Sequence, residues 1–226
     1  MTNTRYLLGA AGFLDAMNQQ LDPDQHRFRI VQRFGIVPKP GIIQPTRFEE
    51  LTAVPDANGP FALFEFTGAL PRAKLYSNWQ VNTNDQVNLN TLADLNFDPA
   101  KTVLISTPQT GLPASATNEN SGTVEFKSYS PKHIIFSANS QTPSVLLLND
   151  KYDPNWRVTV DGKPAELLRC NYIMRGVYLP AGTHTVEFQF SLPLRPMYIT
   201  LTAIATGIVL ISLLIFLQRR KPAIQL

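Results

Sequence analysis

Three aromatic residues have a type and position that could bind a ligand. Trp156 and Tyr152 belong to the segment Tyr-Asp-Pro-Asn-Trp, and Trp79 flanks a polar loop. Aromatic rings at a strand edge can stack on sugar rings, so we predict Trp156, Tyr152 and Trp79 as candidate substrate-binding residues. Large aromatic residues also dominate the cores of β-sandwiches, and for Trp156 we favour a core position between two sheets.

Four polar residues in the same half of the chain could bind a cation. Asp150, Asp153 and Asp161 lie near turns, and we favour local hydrogen bonds to the backbone as their role. His184 lies on the apolar face of a predicted strand and has no second His or Cys nearby in sequence. We therefore interpret it as a hydrogen-bonded core histidine.

The motifs that mark common catalytic sites do not occur in the sequence. It contains no hydrolase nucleophile elbow, no phosphate-binding P-loop and no metal-ligand spacing. No sequence feature brings two carboxylates together as a general acid and base. We therefore predict no catalytic residues, no metal site and no cofactor.

Short β-strands must position the candidate residues of the C-terminal half. Trp156–Val160 and Thr183–Phe190 alternate apolar and polar residues with the period of a half-buried strand. Asp161-Gly162 predicts a two-residue turn, and Pro180-Ala181-Gly182 predicts another. Strands at this spacing, with no helix between them, predict an antiparallel β-sandwich-like module.

A long apolar segment follows these strands. Met197–Leu217 holds 21 residues without a charge, about 31 Å of helix, which is enough to cross a bilayer core of about 30 Å. Arg219, Arg220 and Lys221 come directly after it, and the positive-inside rule therefore predicts a cytoplasmic C-terminal tail. The strand-rich domain is then expected to be extracytoplasmic.

The charge of the chain does not indicate a nucleic-acid partner. The net charge is +3, and the three basic residues after the apolar segment account for all of it, since 17 basic and 17 acidic residues precede them. Cys170 is the only cysteine, which excludes an internal disulfide and a thiolate metal cluster. We expect Cys170 to be a small buried residue.

The N-terminal half indicates mixed secondary structure, so the fold class predicted for the whole chain is mainly β (α+β). Ala10–Leu21 and Asn84–Leu95 have helical spacing, and Ser106–Gly122 is rich in loop residues. An extracytoplasmic domain must be exported, and Tyr6–Leu14 is short for a signal peptide. We therefore expect the chain to be the C-terminal piece of a longer multi-pass protein, whose earlier spans deliver the domain across the membrane. The predicted parts are an α+β part at 1–122, a sandwich-like module at 123–192, a membrane helix at 197–217 and a basic tail at 218–226.

Several segments of the chain form a recognisable series. They are Asn149–Trp156 (NDKYDPNW), Val160–Pro164 (VDGKP), Arg169–Tyr172 (RCNY) and Leu179–Phe188 (LPAGTHTVEF), with Tyr6–Leu8, Leu70–Ala73 and Phe97–Pro99 upstream. Together they resemble the C-terminal extracytoplasmic region of the YfhO family of bacterial multi-pass membrane proteins. The resemblance covers nearly the whole chain and is strongest from Val145 to Phe190.

The resemblance implies an enzymatic context. YfhO-like proteins resemble GT-C glycosyltransferases, which use polyprenyl-phosphate-linked sugars and act on cell-envelope polymers. In those enzymes the catalytic acid is expected in an early extracytoplasmic loop among N-terminal spans, which these 226 residues do not contain. The resemblance therefore implies the non-catalytic part of such an enzyme.

Two hypotheses about function follow. In the first, the chain is the C-terminal ectodomain and last span of a membrane glycosyltransferase in the bacterial cell membrane. Its partners would be the lipid bilayer, the N-terminal multi-pass region of the same protein and a cell-envelope glycan. In the second, it is a membrane-tethered glycan-binding or structural module without catalytic activity. The reading frame upstream of Met1 distinguishes them.

Overall fold

The computed structural model of the chain describes residues 3–94, 96–106 and 121–219. These residues form three β-sheets and three α-helices, and the last helix is long and apolar. Strands pair antiparallel throughout, except for one parallel pair. The predicted fold class, mainly β with antiparallel sheets and one C-terminal apolar helix, is confirmed.

The first sheet has four antiparallel strands in the order β1-β4-β2-β3, and helix α1 packs on one face. Leu14 and Met17 of α1 contact the cluster around Phe64, whereas Phe13 and Leu21 are exposed. The predicted helix is therefore present, but only half of its apolar stripe reaches the sheet. The elements are β1 (Tyr6–Ala10), α1 (Phe13–Leu21), β2 (Phe28–Pro38), β3 (Leu51–Pro55) and β4 (Phe61–Phe66).

Ion pairs with buried carboxylates hold this sheet and the end of its helix. Glu65 is only 3% exposed, and Nε of Arg5 and Nε of Arg29 donate to its two carboxylate oxygens at 2.7 and 2.6 Å. Asp22, directly after α1, accepts from Nη2 of Arg27 at 2.8 Å. These hydrogen bonds hold the pKa of Glu65 and the pKa of Asp22 below their ordinary values.

The second sheet has six strands in the order β5-β10-β14-β13-β7-β6. Its strand β10 is buried on both faces, because Leu146 and Leu148 point into one apolar cluster and Val145 and Leu147 into another. Its strands are β5 (Ala73–Tyr76), β6 (Asn78–Val81), β7 (Thr102–Ile105), β10 (Ser144–Lys151), β13 (Leu168–Cys170) and β14 (Met174–Leu179).

Helix α2 (Asp85–Ala93) connects β6 and β7. The side chain of Asn84 accepts hydrogen bonds from two backbone amides of its first turn, so Asn84 is the helix cap. The helix buries a polar residue, since Asn88 is 1% exposed and donates to Oγ of Ser106 at 3.1 Å. Val87 and Leu89 are exposed.

The third sheet has five antiparallel strands in the order β12-β11-β15-β9-β8. The predicted alternation of the last strand is confirmed, because Val186 and Phe188 are buried while Thr185 and Gln189 are exposed. The strands are β8 (Gly122–Ser130), β9 (His133–Ser140), β11 (Trp156–Val160), β12 (Lys163–Ala165) and β15 (Gly182–Phe190).

The second and third sheets face each other and form the sandwich. Leu146 and Leu179 of the second sheet share one buried cluster with Phe136 and Phe188 of the third. The chain passes between the sheets from β9 to β10 and from β14 to β15. Strands β5, β6 and β7 come before residue 123 and β10, β13 and β14 after it, so the second sheet combines strands from both predicted parts.

Two turns lie at the end of the sandwich that is distant from the C-terminal helix, and they show the roles of Asp161 and His184. Asp161 and Gly162 both have positive φ, as a two-residue type I′ hairpin turn requires, so the predicted turn is confirmed. Nδ1 of His184 lies 2.8 Å from a carboxylate oxygen of Asp161, and its Nε2 lies 3.2 Å from the carbonyl oxygen of Pro180. His184 is therefore a hydrogen-bonded residue, as the sequence predicted.

Helix α3 (Arg195–Arg219) follows the sandwich after the linker Ser191–Leu194. Its segment Pro196–Phe216 has 21 residues, a mean hydropathy of 2.5 and no residue buried against the rest of the protein. A helix of this length and composition can cross a bilayer core. Residue 95, residues 107–120 of the predicted loop and residues 220–226 of the predicted tail lie outside the described residues.

The sandwich core predicts a difference between two adjacent residues. Phe188→Ala is expected to lower the free energy of unfolding by about 3–5 kcal/mol, because Phe188 is fully buried between the sheets. Gln189→Ala on the exposed face serves as the matched control and should change it by less than about 0.5 kcal/mol. Urea unfolding of the detergent-solubilised chain measures both. Equal losses would contradict the assignment of faces.

The buried carboxylates predict acid sensitivity of the first sheet. The folded-state pKa values of Glu65 and Asp22 are lowered, so their contribution to stability is present above the ordinary values of 4.5 and 3.8 and is lost as the pH falls below them. Hydrogen exchange of the β4 amides between pH 7 and pH 3 measures this loss. Glu65→Gln should flatten the pH dependence, and an unchanged profile would contradict the assignment.

Candidate functional site: an arginine and tryptophan cleft

A cleft of about 390 Å³ opens at the end of the sandwich from which the chain leaves for helix α3. Both sheets line it, because strands β10 and β14 contribute Asp150 and Arg175 while strands β11 and β15 contribute Trp156 and Phe190. Arg72, directly before β5, and Tyr129, near the end of β8, complete its polar and aromatic side chains, with Pro131, Ile134, Lys151 and Asp153 as the remaining lining residues.

One aspartate and two arginines form the charged centre of the cleft. The carboxylate of Asp150 accepts from Nε and Nη2 of Arg72 at 3.0 and 3.1 Å and from Nη2 of Arg175 at 3.0 Å. Hydrogen bonding to Asp150 raises the pKa of Arg72. Because two cations hold its oxygens, Asp150 is better suited to positioning the arginines than to accepting a proton.

Arg175 is a charged residue in the interior of the sandwich. Its side chain is only 4% exposed, and Nη1 donates to the carbonyl oxygen of Lys151 at 3.0 Å. Burial lowers its pKa from the ordinary value, which Asp150 partly opposes. Its Nε is buried and has no hydrogen-bond partner among the described residues.

Each arginine of the cleft lies over an aromatic ring. The guanidinium carbon of Arg175 is 3.8 Å from the ring centroid of Trp156, and that of Arg72 is 4.4 Å from the ring centroid of Tyr129. Nη2 of Arg72 also donates to the hydroxyl of Tyr129 at 2.7 Å. These contacts fix the planes of both rings, so the cleft is a preformed surface of aromatic and hydrogen-bonding groups.

Trp156 is both a core residue and a cleft residue. It is half-buried, packs against the cluster between the sheets and makes an edge contact with Phe190 at 5.4 Å between ring centroids. It also lines the cleft. The core position that we favoured and the exposed position that a ligand requires therefore describe two sides of one residue.

The other two candidate aromatic residues are not in the cleft. Tyr152 is half-buried beside it, and its backbone amide donates to the carbonyl oxygen of Ile173 at 2.7 Å. Trp79 is 6% exposed and lies in the apolar cluster on the opposite face of the second sheet, in edge contact with Tyr178. Trp79 is buried there because its strand β6 pairs with β7 within the second sheet.

The predicted role of the aspartates holds for one of three. Oδ1 of Asp153 accepts from the backbone amide of Asn155 at 2.8 Å, a local turn bond as expected. Local bonding is wrong for Asp150, which pairs with arginines from two other segments. It is also wrong for Asp161, which accepts from the amide of Thr185 and contacts His184.

Sequence reasoning missed Arg72, Tyr129 and Arg175. One sequence signal was present, since Arg175 interrupts the otherwise uncharged strand Met-Arg-Gly-Val-Tyr-Leu. A charged residue at a buried strand position requires a partner of opposite charge. Among the described residues, a larger surface depression of about 610 Å³ is lined only by the consecutive residues Arg47–Glu50, so it is an open turn surface without converging groups.

Comparison with known proteins adds the family. The family model described as bacterial membrane protein YfhO matches residues 76–204, which is more than half of the chain. The chain belongs to the YfhO family. The match spans Asp150, Trp156 and Arg175 of the cleft and the first part of helix α3, and family and helix together indicate a membrane protein. No curated protein and no solved structure matches the chain at a significant level.

The ion pairs of the cleft predict a strong effect of one substitution. Asp150→Asn removes the carboxylate and leaves the charge of Arg175 buried without a counter-charge, so it should lower the free energy of unfolding by about 3 kcal/mol. Glu125→Gln, at an exposed surface ion pair, is the control and should have less than about 0.5 kcal/mol effect.

A double variant tests the same interaction from the other side. Asp150→Asn combined with Arg175→Met should recover much of the lost stability, because the buried charge is removed as well. Urea unfolding of the four proteins completes the cycle. Losses that simply add would show that the two side chains stabilise the fold independently.

Proposed function

We propose that the chain is the C-terminal extracytoplasmic module and final membrane span of a YfhO-type glycosyltransferase. In this proposal the enzyme uses polyprenyl-phosphate-linked sugars, and the cleft holds the cell-envelope glycopolymer that accepts the sugar. The proposal is supported by family membership, by the apolar helix and by the chemistry of the cleft.

The observation that carries the proposal is the cleft's combination of aromatic and bidentate polar groups. A sugar offers apolar C–H faces and pairs of hydroxyls that can donate and accept. Trp156 and Tyr129 provide ring surfaces, Arg72 provides donors at the solvent-facing side, and Asp150 provides acceptors. Because these groups come from both sheets and hold each other, a saccharide would bind without reordering them.

The place of the cleft in the chain supports an acceptor role. Phe190, which lines the cleft, ends the last strand, and helix α3 begins five residues later at Arg195. A glycan in the cleft would therefore lie close to the membrane surface, where a lipid-linked donor delivers its sugar. The catalytic groups would come from membrane spans that precede this chain in the same protein.

The alternative is a membrane-tethered glycan-binding or structural module without an enzyme on the same chain. The two proposals differ in the upstream reading frame of the gene. A series of apolar spans continuous with Met1 supports the glycosyltransferase. A stop codon followed by an initiation site at Met1 leaves the tethered module, with the cleft unchanged.

Glycan binding is tested with the full chain in nanodiscs. Trp156→Ala should weaken binding of fragments from cell-envelope glycopolymers about fivefold to tenfold in calorimetric titration, because a stacking contact is worth about 1–1.5 kcal/mol. Arg72→Gln, whose side chain is 35% exposed, should weaken binding without loss of the fold.

The control for these variants is Tyr152→Phe. Tyr152 was a candidate from sequence but does not line the cleft, so its hydroxyl should be dispensable for binding. Unchanged affinity in folded Arg72→Gln and Trp156→Ala proteins would reject the cleft as the glycan site.

A further inference from the structure

A second groove lies at the junction between the sandwich and helix α3. It has a volume of about 490 Å³, and its walls come from the loop before β11, from Arg157 within β11, from the linker and from the first turns of the helix. The residues that line it are Pro154, Asn155, Arg157, Ser191, Leu192, Pro193, Leu194 and Tyr198.

The covalent structure sets the depth of this groove relative to a bilayer. Leu194 directly precedes the helix, and the apolar segment begins at Pro196. The linker Ser191–Leu194 can span at most about 14 Å, and the headgroup layer on each side of a bilayer is about 5–8 Å thick. The amide of Ser191 donates to the carbonyl oxygen of Asn155 at 2.8 Å, so the loop before β11 cannot move away from the linker freely.

The groove has apolar side chains on the side of the linker and helix and a charged residue on the side of the sandwich, which is the arrangement that a phospholipid requires. Leu192, Leu194 and Tyr198 are 60%, 49% and 57% exposed, although they are large apolar or aromatic residues. Such side chains are stable at the interface of a membrane, where tyrosine in particular concentrates. Arg157 is the charged residue on the wall nearer the sandwich, and it is exposed.

None of the groove's lining residues in the described part of the chain is acidic, so no carboxylate there balances the positive charge of Arg157. Cross-strand pairing places Gln189 opposite Arg157, and the carboxylate on the same face nearest in register is Glu187, opposite Thr159. Glu187 already contacts Nε2 of His133 at 2.5 Å. The groove therefore favours an anionic occupant.

We propose that this groove binds the headgroup of an anionic phospholipid. In this proposal Arg157 contacts the phosphate of the headgroup, and the first carbons of the acyl chains lie against Leu192, Leu194 and Tyr198. Binding holds the sandwich at a fixed height and tilt above the bilayer. This proposal does not depend on the glycan-binding role of the other cleft.

The test measures lipid preference next to the groove in the full chain. Leu192→Trp introduces a fluorophore at an exposed groove position, and parallel measurements on the parent chain supply the signal of Trp79 and Trp156. Nanodiscs contain brominated phosphatidylcholine, which quenches the introduced tryptophan on contact. Unbrominated phosphatidylglycerol or unbrominated phosphatidylcholine is then added at equal mole fractions.

Phosphatidylglycerol should relieve quenching with about fivefold higher relative affinity than phosphatidylcholine, the ratio expected for one cation at a lipid surface. Arg157→Gln should bring this ratio close to one, and Arg157→Lys should retain most of it. Lys163→Gln, an equal charge change at the far end of the same hairpin, is the matched control and should leave the ratio unchanged. Circular dichroism confirms that each variant is folded.

Three results would overturn the proposal. The first is an equal effect of the two lipids on the introduced tryptophan. The second is a preference that survives in a folded Arg157→Gln protein or is lost equally with Lys163→Gln. The third is relief of quenching by soluble glycerol phosphate at matched concentration, which would assign the groove to a free phosphate compound.

Discussion

The buried ion pair between Arg175 and Asp150 is the interaction on which the candidate site depends. Arg175 places a positive charge between the two sheets, and without Asp150 that charge would be strongly destabilising there. The same guanidinium lies over the ring of Trp156, so one pair joins the second sheet to the third. Arg72 completes the pairing from the solvent side. A sandwich end that needed only stability would be simpler with apolar residues, which is why we propose a ligand-binding role for this polar centre.

The second constraint is the short linker between the sandwich and helix α3. It joins the end of β15 to an apolar helix within four residues. The cleft and the second groove, at the junction with helix α3, both lie at that end of the sandwich. A domain on a long flexible linker would sample many orientations, whereas this one is restricted to a layer above the bilayer. The opposite end, where His184 joins two turns, points away from the helix. The architecture therefore gives the protein a membrane-facing end and a distant end.

The local pattern of the sequence predicted the local structure well and the site only in part. Period-two alternation identified β15, and turn chemistry identified the hairpin at Asp161, because both signals act over a few residues. The cleft escaped prediction because its parts are far apart in the chain: Arg72 and Asp150 are 78 residues apart. The polar residues that flank Trp79 left its exposure undecided, and the pairing of β6 with β7 buries it. Pairing between distant strands is decided by tertiary packing, which no local pattern contains.

Membrane topology tests most directly the claim that the cleft faces a glycan outside the cytoplasm. Cysteines are placed singly at the exposed Lys163, directly after the hairpin turn of the sandwich, and at Ala223 in the tail, with the buried Cys170 replaced by alanine. Intact cells are then treated with a membrane-impermeant thiol reagent. We predict labelling at position 163 and none at position 223 until the cells are permeabilised. Labelling at position 223 alone would place the sandwich in the cytoplasm, out of reach of cell-envelope glycans, and would contradict the proposed function.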